Sequence, residues 1–121
     1  MGTRNLHRGR WGEDLAARHL ERIGLTVLDR NWRCRTGEID IVAADSGTGT
    51  VIICEVKTRT TEDFGSPLAA ITPRKLRRLR ALAVEWMREH EASARDIRID
   101  VIGIVMGSRG APSLEHLRGV A

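Results

Sequence analysis

Apolar and polar positions follow two different rhythms along this chain. From about Gly9 to Ile23 the rhythm is helical, with Trp11, Leu15, Ala16, Leu20 and Ile23 on one face and Gly24 as a stop. Residues 25–32, LTVLDRNW, then read as a strand, and NWRCRTG as an Arg-bearing turn. EIDIVAA, residues 38–44, is a second strand, and TVIICEVKTR, residues 50–59, a third. The turn-forming cluster DSGTG between them makes the pair a hairpin. Residues 60–71 read as irregular, with Gly65 and Pro67. Thr72 followed by Pro73 marks a helix start, and Leu76, Leu79, Ala83 and Trp86 carry that helix to about His90. IRIDVIGIVM, residues 97–106, is apolar enough for a strand inside a sheet, and Gly107–Pro112 is a loop. The tail SLEHLRGVA has no clear period, and residues 1–8 are polar, basic and expected to be loose. The order αβββαβ predicts one mixed α/β domain over residues 1–121, a sheet flanked by helices.

The rhythm breaks where the third strand ends in Glu55-Val56-Lys57. Side chains alternate along a strand, so Glu55 and Lys57 share a face, roughly 7 Å apart. If the hairpin turn centres near Gly47, cross-strand partners sum to about 93–95 in residue number. Asp40 then lies opposite or next to the partner of Glu55, about 5 Å away. Two carboxylates that close repel, and a divalent cation such as magnesium would relieve them. A structural ion pair is the plainer reading of EVK alone. Asp40 between Ile39 and Ile41 tips the balance toward function, because a carboxylate there is costly to bury without a partner. Glu13 projects toward the core side of the first helix, about 20° around from Leu20. It could reach the metal site as an additional acid, but geometry alone favours a first-turn acid that suits the helix dipole.

Composition changes the picture in one respect. Net charge is +4, but Arg is clustered in Arg4–Arg10, in Arg30–Arg35 and in Arg74–Arg80. That pattern suits a polyanion partner or a solvated helix face. Arg59, Arg74, Lys75, Arg77 and Arg78 are candidate contacts to backbone phosphates, Lys75 helped by the positive end of its helix. With one Phe, three Trp and no Tyr, stacking on bases is not expected as a main binding mode. Cys34 and Cys54 are far apart and no zinc ligand set is visible, so reduced thiols in a cytoplasm are expected. No apolar run is long enough for a bilayer, and no apolar segment follows the basic start as in a signal peptide.

The stretch WGEDLAARHLERIGLTVLDRNWRCRTGEIDIVAAD, then EVKTR and FGSPLAAITPRKLRRL, resembles the YraN family of small bacterial proteins. The likeness covers about Arg10 to Met106, and GEID followed by EVKTR is quite specific. The resemblance implies a restriction-endonuclease-like core of the PD-(D/E)xK nuclease superfamily, similar to archaeal Holliday junction resolvases. It implies that Asp40 and Glu55 hold Mg2+ or Mn2+, that Lys57 completes the E-x-K pair, and that Glu13 matches the first-helix acid of resolvase-type relatives. Two positions depart from the pattern: Ile39 stands where the eponymous motif has Pro, and Cys54 where an aliphatic residue is usual, an oxidisable group next to the site. The implied activity is a metal-dependent DNA endonuclease, on branched or junction DNA, working as a homodimer as resolvases do. The alternative is a nucleic-acid-binding module of the same fold without turnover, and a third reading is a small adaptor for a larger DNA-processing protein.

Overall fold

The computed structural model of the chain describes residues 2–60, 69, 71–107 and 110–121, with side chains described from residue 9 onward. Helix α1 spans Gly2–Arg22, followed by strands β1 (Thr26–Cys34), β2 (Gly37–Asp45) and β3 (Thr50–Thr60). Helix α2 spans Pro73–Glu89, and strands β4 (Asp96–Met106) and β5 (Ser113–Leu117) close the chain. The five strands form one sheet in the order β1-β2-β3-β4-β5. β3 and β4 pair in parallel, joined through α2, and the other neighbours are antiparallel.

This is the expected αβββαβ order in a mixed α/β sheet, with three differences at its margins. The backbone of residues 2–8, expected to be loose, is the start of α1. The Arg-rich turn is shorter than expected, because β1 runs on through Trp32 and Arg33 to Cys34, which pairs with Gly37. The untyped tail supplies β5, an edge strand along β4. Most of the irregular segment expected over 60–71, including Gly65 and Pro67, lies outside the described residues.

The two faces of the sheet carry separate cores. Val42, Val51, Ile53 and Ile99 pack under α2 through Leu79, Leu82, Ala83 and Trp86. Ile41, Ala43, Ile52, Cys54, Ile102 and Ile104 pack under α1 through Ala16, Ala17 and Leu20. The period-two alternation of β2 and β3 therefore feeds one helix on each side. Trp11 and Ile23, at the ends of the apolar stripe of α1, are exposed instead of buried.

Both helices stop by the same device. Leu25 N donates to Leu20 O and Gly24 N to Glu21 O, while Ala92 N donates to Met87 O and Glu91 N to Arg88 O. Gly24 (φ 95°) and Glu91 (φ 49°) supply the left-handed residue that this double bond requires. At its start, α2 is capped by the Thr72 side chain, which accepts from Lys75 N at 3.1 Å, with Pro73 in the first turn.

Candidate active site

The site forms where two strands part. The last β2–β3 ladder pair is Ile41 with Cys54, a sum of 95, which places Asp40 opposite Glu55. Beyond it, β2 stays paired with β1 as far as Gly37, while β3 follows β4. The side chain of Asp40 fills the gap in the ladder: Val56 N donates to Asp40 Oδ2 at 2.8 Å. This leaves the Asp40 carboxyl beside that of Glu55, and Lys57 is the next residue along the same strand face.

Burial, then the charge of Glu55, pushes the Asp40 carboxyl up to about 8, against the opposing pull of Val56 N–H. Near neutral pH Asp40 accordingly favours its protonated form, beside the buried Glu55.

Glu13 reaches the same neighbourhood from α1. Gly12 makes that possible: a Cβ there would lie 2.0 Å from Thr58 Oγ1, so only glycine lets the helix come this close to β3. Glu13 is 9% exposed and accepts from Asn31 Nδ2 at 2.8 Å, with Arg30 Nη2 at 3.6 Å. Burial raises its pKa against the lowering effect of Arg30 and Asn31, and its charge in turn pushes Asp40 upward. Asn31 lies between the ladder pairs Arg30–Ile41 and Trp32–Ile39, across from Asp40, with a left-handed φ of 53°. Asn is among the few non-glycine residues that tolerate this conformation. Sequence reasoning did not single out Asn31; an Asn inside a strand-like run is the one trace it leaves.

Lys75 belongs to this group as well. Expected as a phosphate contact, it forms an ion pair with Glu55 and adjoins Lys57. Burial acts to lower its pKa, but Glu55 outweighs that and the net shift is upward. Glu55 and Lys75 lie at the wall of a cleft of about 500 Å³ between the β1–β2 turn and α2, rimmed by Arg33, Arg35 and Arg78. Arg74, Arg77, Arg78 and Arg88 line an adjoining groove along α2. Arg59 lies further along β3, half-buried, with the same strand parity as Glu55 and Lys57. The structure thus gathers Asp40, Glu55, Lys57 and Lys75, brings Glu13 to their edge, and sets Arg74, Arg77 and Arg78 on the neighbouring helix. Arg33 and Arg35 join them at the rim, which required β1 to extend past Trp32.

The donor set fits a hard, oxygen-seeking cation. Asp40 and Glu55 offer two facing carboxylates, and magnesium commonly takes one or two carboxylates while keeping its waters. Among the described residues no group of three His, Cys, Asp or Glu side chains converges closely enough to form a cage, so Glu13 is not a preassembled third ligand. Cys54, flagged by the sequence as oxidisable next to the site, points to the other face, into the α1 core. Burial, then the charges of Asp100, Asp40 and Glu55, holds its thiol well above the ordinary value, and it is fully buried. It is an inert packing group, since the thiolate is the reactive form.

A second polar cluster lies on the α1 face. Asp100, fully buried, accepts from Arg98 Nε at 2.9 Å and Arg98 Nη2 at 3.0 Å, and from Gly119 N at 2.9 Å. His116 Nε2 is 2.7 Å from Asp100 Oδ2, the oxygen that Arg98 Nη2 also reaches, and His116 Nδ1 is 3.0 Å from His19 Nε2 on α1. Burial alone would raise the carboxyl of Asp100, but these partners hold it down to about 2.

Comparison with known proteins adds a family. The model of the "Uncharacterised protein family UPF0102" matches residues 12–104. A UPF0102 protein of Streptomyces coelicolor is 55% identical over 115 residues, covering 93% of this chain and 87% of its own length. One from Mycolicibacterium smegmatis is 48% identical over 123 residues and covers 99% of both chains. One from Acidothermus cellulolyticus is 49% identical over 121 residues, covering 92% of this chain and 90% of its own length.

Proposed function

The chain belongs to the UPF0102 family, and for it we propose a metal-dependent nuclease of restriction-endonuclease-like type that hydrolyses phosphodiester bonds in DNA. The observation that carries this reading is the Asp40–Glu55 pair: two acids set opposite each other where β2 and β3 separate, with the carboxyl of Asp40 pushed upward by burial and by its neighbour. Burying such a pair costs stability and serves no packing purpose, and an acid perturbed by burial and by a like charge, next to a cleft-lining partner, marks a functional site.

In this reading Asp40 and Glu55 hold Mg2+ or Mn2+. The bound ion supplies Lewis acidity toward a phosphate oxygen and acidifies a water. Lys57, one strand step from Glu55, orients the attacking water or faces the charge that develops on the phosphoryl oxygens. Glu13, kept in place by Asn31, adds negative charge at the edge of the pair. Arg33, Arg35 and Arg78 at the cleft rim, with Arg74 and Arg77 beside them, grip flanking phosphates, while Arg59 extends the basic surface along β3. Branched or junction DNA, cut by two copies of the chain, is the substrate class we favour.

The test is cleavage of branched, flapped and linear DNA in Mg2+ and Mn2+. We expect Asp40→Ala to fold and to lose at least about 100-fold in rate, the scale on which removing a group aimed at transition-state charge is felt. Equal cleavage by the variant and the parent removes the assignment. One observation favours a second reading, a binding module without turnover: Glu55 already has a positive partner in Lys75, so the pair is partly neutralised without a metal. Tight DNA binding in chelator, with no cleavage in any divalent metal, selects that reading.

A further inference from the structure

Lys75 occupies a position that local helix energetics disfavour. It is the third residue of α2, counted from the Thr72 cap, in a first turn that contains no acid. A cation there faces the positive end of the helix and the unpaired N–H groups of the first turn. Its neighbour Arg74 adds a further positive charge in the same turn. The compensation comes from across the cleft, where Glu55 accepts the Lys75 ammonium, and the side chain of Lys57 lies alongside.

We infer that Lys75 is the resident counter-ion of the Asp40–Glu55 pair, which a divalent cation must displace in order to bind. This rests on the proposal that the pair is a metal site, and it adds how that site is held when no metal is present. The carboxylate of Glu55 has 9% of its side chain exposed, so leaving it without a positive partner in the metal-free state would be costly. Lysine suits a partner that has to leave. Its charge is a compact ammonium on a flexible four-carbon stem, and 32% of the side chain is already exposed. A guanidinium would be harder to dislodge, since it grips a carboxylate through two parallel bonds. Once a divalent ion takes Glu55, the Lys75 ammonium is repelled toward the cleft, whose rim carries Arg33, Arg35 and Arg78. There it adds to the charge that meets a phosphate. The same residue thus weakens metal binding in the empty protein and strengthens the hold on substrate afterwards, so that metal and DNA bind cooperatively.

The test is Mn2+ binding to the full chain, without DNA, by isothermal titration calorimetry near neutral pH. Lys75→Met removes the charge and keeps most of the stem. The expected result is a Kd several-fold lower in Lys75→Met than in the parent. Unchanged or weaker binding in the variant, with clear binding in the parent, overturns the exchange and leaves the carboxylate site standing. Absence of Mn2+ binding in both proteins overturns the metal site and the exchange together. Should Lys75→Met fail to fold, the parent chain decides the matter through acylation of its lysine ε-amines, mapped by mass spectrometry. Reactivity at Lys75 rises on saturation with Mg2+ if the ammonium is released; reactivity that is constant or falls overturns the proposal.

Discussion

Asp40 and Asp100 lie on strands of one sheet, each flanked in sequence by isoleucine or valine, and the chain treats them in opposite ways. Asp100 is fully buried, yet two guanidinium bonds, a histidine and a backbone amide hold its carboxyl down to about 2. Asp40 is less deeply buried, yet burial, then the charges of Glu55 and Glu13, pushes its carboxyl up to about 8, because only the Val56 N–H pulls the other way. Depth therefore does not distinguish a structural acid from a functional one; the supply of partners does. On the α1 face the fold provides every bond that the carboxylate can use. Where β2 and β3 part it places a second acid opposite the first, and the positive partner of the pair is the Lys75 side chain.

Truncating Asp100 should show this contrast most strongly. Asp100→Ala leaves Arg98 and His116 without their acceptor and the Gly119 N–H unpaired. We expect a loss of about 3–5 kcal/mol in urea denaturation, the range for breaking a buried ion pair from one side. A loss under about 1 kcal/mol, the range of exposed pairs, would put Asp100 in the same class as a surface acid.

Asp40→Asn should have the opposite sign. The folded protein retains a proton on Asp40 that the unfolded chain releases above its ordinary value of 3.8. The stability linked to that proton is complete below 3.8 and is lost as pH rises through about 8. In chelator, the parent should lose this stability as pH rises from 3.8 toward about 8, and excess Mg2+ should flatten that slope. Asp40→Asn should be more stable than the parent at pH 8 by on the order of 2 kcal/mol, with the advantage gone in acid. Asp100 has the reverse linkage: its contribution is present above the ordinary value of 3.8 and is lost as pH falls through about 2. Thermal melts across pH, with and without metal, would separate the two. An Asp40→Asn protein less stable than the parent at pH 8 would erase the distinction.

The smallest effect concerns the helix that serves both clusters. α1 presents Glu13 to one and His19 to the other. Gly12→Ala gains helix propensity but drives a methyl into Thr58, so we expect a net loss of about 1 kcal/mol. In metal titrations the same variant should disturb the Asp40 side and leave the Asp100 cluster intact.

The sequence made the centre of the sheet legible and its margins obscure, for a physical reason. β2, β3 and β4 are buried on both faces and leave long apolar runs, so their limits and the hairpin register were readable to within a residue or so. The edge strands β1 and β5 are mostly exposed or half-buried, and exposure removes the alternation by which a strand is recognised. That is why the extension of β1 to Cys34 was hidden, and Arg33 and Arg35 at the cleft rim with it. Asp40, Glu55 and Lys57 were visible because charge interrupts an apolar run. The pairing of Lys75 with Glu55 was not, because it joins a helix start to a strand across a segment with no readable period. Asn31 announced nothing, since its part depends on a backbone angle.

The parallel ladder that carries Glu55 and Lys57 runs without a break from the pair Thr50–Asp96 to the pair Thr60–Met106. Its amides should be among the last in the molecule to exchange with deuterium, because their release requires the sheet itself to come apart. Among the described residues, Glu55 and Lys57 therefore stand on the frame against which any movement of the helices around them would take place.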